Sequence, residues 1–150
     1  MTPPKWASVN HISIAELESE WNSSPSKMHS TLLANRSYHF PFLISHWGEL
    51  TELEKEIAIA KQQFPFQFLE SIWCYSSRNI RYYIIKNHVI PVEFIIEHWH
   101  ELDNNMCVVV VTKQTFIQKL SLKELPIFLA DINKSVRDIA LNVYRAKENE

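Results

Sequence analysis

Imidazole and carboxylate groups, the side chains best suited to a metal, gather at His98, His100 and Glu101, and His46 stands one position before Trp47. Zinc accepts such ligands, but residues two apart on a helix point about 200° away from each other. His98 and His100 therefore converge only if a helix ends between them. Cys74 and Cys107 are widely separated and form neither a CxxC pair nor a disulfide framework. No metal and no cofactor are expected. Catalysis by a Ser/His/Asp or Cys/His group has no local signature. The single glycine, Gly48, leaves no room for Gly-rich phosphate loops, dinucleotide fingerprints or nucleophile elbows. No residue is assigned a catalytic role. The remaining chemistry is that of contact. Arg78 and Arg81, with Tyr75 and Tyr82, are residue types favoured at interface hot spots, whereas Glu49, Glu52, Glu54 and Glu56 form an acidic stretch one repeat earlier.

The elements that position these groups are set by tryptophan. Trp21, Trp47, Trp73 and Trp99 follow one another at a constant 26 residues, placing four of the five tryptophans in one register. Four residues before each lie Leu17, Leu43, Leu69 and Ile95, and seven before lie Ile14, Phe40, Phe66 and Val92. That spacing is one helical face, widened by Phe42, Phe68 and Phe94. A second helix follows each Trp, with Thr31-Leu32-Leu33, Ile57-Ala58-Ile59, Tyr83-Ile84-Ile85 and Val109-Val110-Val111 in matching places. By β propensity alone Met106–Val111 is a strand; its register with three helical copies predicts helix.

Punctuation repeats as well. Pro25, Thr51, Ser77 and Asp103 occupy one position between the two helices, three of them good N-caps, and Thr51 with Glu54 has the capping-box spacing. Pro65 and Pro91 open first helices, where a missing N–H costs little. Asn35 and Asn87 follow second helices, where Asn can adopt the left-handed conformation. Glu52 and Arg78 share one repeat position, Lys55 and Arg81 another, so neighbouring copies are expected either to pair them as solvated ions or to present them to a partner. The tryptophans could form stacking platforms for cations or bases, but their phase with the apolar face makes them inter-repeat core.

A fifth, divergent copy follows a short insertion, with Leu129 in the Trp position, Leu125 and Leu122 before it, and Val136, Ile139, Ala140 and Leu141 in the second helix. The predicted fold is all-α: a single α-solenoid domain over 1–150, with helix-pair repeats at roughly 10–34, 35–61, 62–86, 87–113 and a terminal, capping copy at 114–144. Asp131-Ile132-Asn133-Lys134-Ser135-Val136-Arg137-Asp138-Ile139-Ala140-Leu141-Asn142 resembles the second helix of HEAT-like repeats and of leucine-rich repeat variants, where an Asp-containing turn leads into Val-Arg and an apolar helix. The short period is nearer the leucine-rich repeat variant. This resemblance implies a right-handed superhelix with binding surfaces along it and no shared catalytic residues.

The function expected is therefore non-enzymatic binding of a protein partner, with Tyr75, Arg78, Arg81, Tyr82, Glu52 and Lys55 as the candidate surface and the four tryptophans as repeat core. A cytoplasmic immunity or inhibitor protein is a more specific version. A HEAT-like nucleic-acid-binding protein, such as a DNA glycosylase, is the rival, but 15 Lys and Arg against 17 Asp and Glu leave a net charge of −2 and no general attraction to a polyanion. The opening Met1-Thr2-Pro3-Pro4-Lys5-Trp6 leads into polar sequence rather than a signal-peptide core, and no apolar run reaches membrane length. The chain is expected in the cytoplasm.

Overall fold

Side-chain caps start the second helix of every pair after the first. Thr51 Oγ1 accepts the Glu54 N–H at 3.2 Å while Glu54 Oε1 accepts the Thr51 N–H at 2.8 Å, a complete capping box. Ser77 Oγ accepts from the Ile80 N–H at 3.3 Å, and Asp103 Oδ1 from the Met106 N–H at 2.9 Å. Asn133 Oδ1 does the same for Ser135 and Val136. Each satisfies a donor that the first helical turn leaves without an intrahelical partner.

The computed structural model describes residues 14–35, 37–113, 119–131 and 133–149. The expectations for Met1–Trp6, for the side chain of Ile14, for the opening of the fifth copy at 114–118 and for Ile132 lie outside what is described. Among the described residues all regular structure is helical, as the register predicts. In chain order the α-helices are α1 (Ile14–Ser23), α2 (His29–Asn35), α3 (Phe40–His46), α4 (Glu52–Lys61), α5 (Phe66–Trp73), α6 (Arg78–Asn87), α7 (Val92–His98), α8 (Asn104–Thr112), α9 (Leu125–Leu129) and α10 (Lys134–Glu148). Short 3₁₀ turns at Ser26–Met28, Trp47–Glu49 and Trp99–Glu101 join them.

By contacts the chain divides into two compact units, Met1–His88 and Val89–Glu150. In the first, the second helices pack in series, α2 on α4 and α4 on α6, and α1 meets α3. In the second, α10 packs against both α8 and α9. The strand-like run Met106–Val111 lies inside α8: the Asp103 cap starts a helix, and Met106, Cys107, Val110 and Val111 all become buried on it. Burial at helical spacing outweighs β propensity here.

Leu17, Leu43, Leu69 and Ile95 are all buried, which forms the repeated core on the first helices. The residue seven before Trp behaves differently from expectation. Phe40, Phe66 and Val92 are the first residues of their helices, and Phe40 is 48% exposed. At a helix's first residue there is no preceding turn to cover the side chain, so periodicity overstates its burial. Asn35 and Asn87 do not supply a left-handed residue, since no non-glycine residue among those described has positive φ. Instead α4 and α6 end on extended residues, Gln62 and His88, whose N–H groups still reach Ala58 and Ile84. In the last copy the deep side chain is Phe128 rather than its neighbour Leu129; α9 has only five residues, and Trp99 packs edge-on against Phe128 with centroids 4.6 Å apart.

Gln62 and His88 are themselves buried, one repeat apart. Gln62 Nε2 donates to the Leu33 carbonyl at 2.6 Å while its Oε1 accepts the Tyr38 N–H at 2.9 Å. His88 Nε2–H donates to the Ile59 carbonyl at 2.9 Å. Leu33 and Ile59 lie in the last turns of α2 and α4, where carbonyls lose their intrahelical donors. Each polar side chain thus completes the end of the preceding repeat's second helix.

Candidate interaction surface

The four tryptophans occupy two alternating environments. Trp21 and Trp73 lie inside α1 and α5 and are 4% and 1% exposed; Trp47 and Trp99 begin 3₁₀ turns and are half-buried. The difference is local. After Trp21 and Trp73 the chain remains helical or turn-like, and Ser24 and Ser76 hydroxyls bond to the Glu20 and Ile72 carbonyls. After Trp47 and Trp99 a His-Trp-x-Glu sequence tightens the turn, with His46 Nδ1–H bonded to Glu49 at 2.8 Å and His98 Nδ1 bonded to Glu101. Apolar periodicity gives no hint of this alternation.

Eight residues after Trp21, Trp47 and Trp73, one side chain covers the indole. His29 stacks on Trp21 with centroids 3.7 Å apart, Lys55 Nζ lies 5.7 Å from the Trp47 ring, and the Arg81 guanidinium lies 5.0 Å from that of Trp73. Arg81 Nε also donates to the Trp73 carbonyl at 2.9 Å, as His29 Nε2–H does to Trp21 at 3.1 Å. Arg81 and Lys55 are therefore engaged within their own repeats. Lys55 additionally approaches Glu52 at 3.8 Å along the same helix. Between the same two repeats Asn79 Nδ2 donates to Glu56 at 3.2 Å.

Of the proposed surface residues, Tyr75 and Arg78 are exposed and Tyr82 is half-buried. Tyr75, at the turn between α5 and α6, is 91% exposed. Arg78, Tyr82 and Lys86 succeed one another at four-residue steps on α6, so they form one ridge. The Lys86 ammonium lies 5.7 Å from the Tyr82 ring, whose other contact is an edge-on packing with Tyr83 at 5.6 Å. The ridge alternates cationic and aromatic groups, and Lys86 extends it beyond the residues singled out by composition.

Two further polar clusters lie elsewhere. His46, 8% exposed, donates Nε2–H to both Glu18 oxygens at 2.8 Å in addition to its Glu49 bond. Burial pulls its pKa down, but the Glu49 and Glu18 bonds and charges outweigh burial and raise it above the ordinary 6.5. In the second unit Trp99 Nε1–H donates to Asp131 Oδ2 at 2.7 Å, and Arg137 donates to the Asp131 carbonyl at 2.7 Å. Burial, with Asp131 and Asp103 nearby, pushes the Cys107 thiol up to about 12. Among the described residues no group of three or more His, Cys, Asp or Glu side chains could hold a metal ion, and no helix is long and apolar enough to cross a membrane. No protein-family model, curated protein or solved structure matches this chain.

Proposed function

We propose that this chain is a helix-pair repeat protein that works by binding another protein, without catalysis, and that the α6 ridge of Tyr75, Arg78, Tyr82 and Lys86 carries the contact. The observation that carries this reading is the exposure of Tyr75 in the turn that leads into the Arg78, Tyr82 and Lys86 ridge. Tyr and Arg give large contact areas at low entropic cost and dominate binding hot spots. The alternation of positive and aromatic groups suits a partner segment with carboxylates and apolar side chains. Serial packing of α2, α4 and α6 supports an α-solenoid architecture of the HEAT-like or leucine-rich repeat variant kind. The free thiols of Cys74 and Cys107 accord with a place in the cytoplasm.

A photo-crosslinking amino acid at Tyr75, compared with one at exposed Lys27, tests the assignment in cells of the source. The expected result is a discrete protein adduct from position 75, absent from position 27 and lost with Arg78→Ala and Tyr82→Ala. Equal, diffuse labelling from both positions contradicts it.

A further inference from the structure

His46 has a carboxylate on each ring nitrogen: Glu49 at Nδ1 and Glu18 at Nε2, all at 2.8 Å. A neutral imidazole has one N–H, and its other nitrogen presents a lone pair. Two carboxylates accept together only from the doubly protonated ring. The two acids come from different helix pairs, Glu18 from α1 and Glu49 from the turn after α3. The ring also packs on Phe42 with centroids 4.4 Å apart and lies 5.8 Å from Trp21, the main buried side chain of the first pair.

We propose that the His46 imidazolium is an acid-favoured latch fastening α1 to α3, and that the first helix pair opens when this ring loses its proton. The other titratable groups nearby are engaged differently. On α1, Glu20 accepts a bond from the Tyr38 hydroxyl at 3.5 Å, and Glu16 lies one turn towards the N-terminus. Across the Trp21 ring, His29 on α2 stands 3.7 Å from Glu54 on α4, and Glu54 serves the α4 capping box. His39 precedes α3 as its N-cap residue. His46 joins acids from two helix pairs.

The direction in pH follows from the raised pKa of the folded ring. The latch is complete below the ordinary value of 6.5 and is lost as pH rises through the raised value. Each unit of separation between folded and open values changes the balance of closed and open forms by up to about tenfold. Removal of the proton leaves two carboxylates against a neutral ring, which adds repulsion to the lost bond.

The test is a pH titration of the full chain, following the histidine ring signals by NMR together with amide hydrogen exchange in α1, corrected for the intrinsic exchange rate. His46 is expected to titrate above 6.5, and α1 protection to hold below that pH and fall as pH rises through the ring's titration, while that of α6 holds. Glu18→Gln, which retains a hydrogen-bonding side chain, is expected to lower the His46 titration point and flatten the α1 response; His29→Gln is expected to leave both. A ring titrating at or below 6.5, an unchanged titration point in Glu18→Gln, or α1 protection that ignores pH while the ring titrates as expected would each overturn the latch.

Discussion

At the scale of single residues, the decisive side chains are polar ones that complete backbone left open by short helices. Gln62 serves the Leu33 carbonyl and the Tyr38 N–H together. Gln62→Leu keeps the volume and removes both partners, so it is expected to destabilise the fold by about 1–3 kcal/mol, read as a lower urea midpoint with unchanged slope. A midpoint equal to wild type contradicts the role. Cys107 makes a second case. With its thiol pushed up to about 12 by burial and by Asp131 and Asp103, almost no thiolate exists at neutral pH. Iodoacetamide at about pH 8 is expected to label exposed Cys74 in the folded protein and Cys107 only after unfolding, as peptide mass spectrometry would show. Equal labelling in the native state would refute that environment. Gln62 and His88 stand at one repeat position, yet differ in type, and their targets are carbonyls that every residue possesses. Sequence pattern therefore marks the position without disclosing its bond.

At the scale of elements, caps were the most legible feature. Thr51, Ser77 and Asp103 bond as their types and shared position predict, because an N-cap is a local contact between residues three apart. The ends of helices were less legible. Asn35 and Asn87 suggested left-handed caps, but neither has positive φ: α6 leaves through extended His88, and Asn35, the last residue of α2, uses its side chain on the Thr31 carbonyl. The alternation between helical and 3₁₀ continuations after Trp was written in His46-Trp47-Gly48-Glu49-Leu50 and His98-Trp99-His100-Glu101-Leu102, a two-repeat pattern that a one-repeat comparison averages away. Gly48 lies in the first of these turns without positive φ, and a Cβ there meets nothing within 4 Å. Gly48→Ala is accordingly expected to stabilise the protein by about 0.4–1 kcal/mol through loss of unfolded-state freedom, seen as a raised melting temperature. A lowered one would show that the turn needs glycine.

At the scale of the whole molecule, helical content follows from apolar residues recurring at helical spacing, including the valines of α8 that alone favour a strand. The tryptophan register is the organising feature, but equal spacing does not mean equal burial. Trp21 and Trp73 are enclosed, whereas Trp47 and Trp99 sit at 3₁₀ turns, the latter held through Asp131. Such differences depend on which neighbour covers each ring: His29, Lys55 and Arg81 supply different lids. Those lids explain why cationic residues that resemble a binding patch in sequence are partly consumed inside the repeat. Tyr75, Arg78 and Tyr82 are suggested by residue type, whereas the place of Lys86 after Arg78 and Tyr82 on one ridge follows from α6.

The most direct test is urea unfolding of four single variants, Trp21→Ala, Trp47→Ala, Trp73→Ala and Trp99→Ala. If the rings form a repeated seam with alternating depth, Trp73→Ala and Trp21→Ala each cost about 3–5 kcal/mol, and Trp47→Ala costs clearly less than Trp73→Ala. Four small and indistinguishable losses, or a Trp47 loss exceeding that of Trp73, would contradict it.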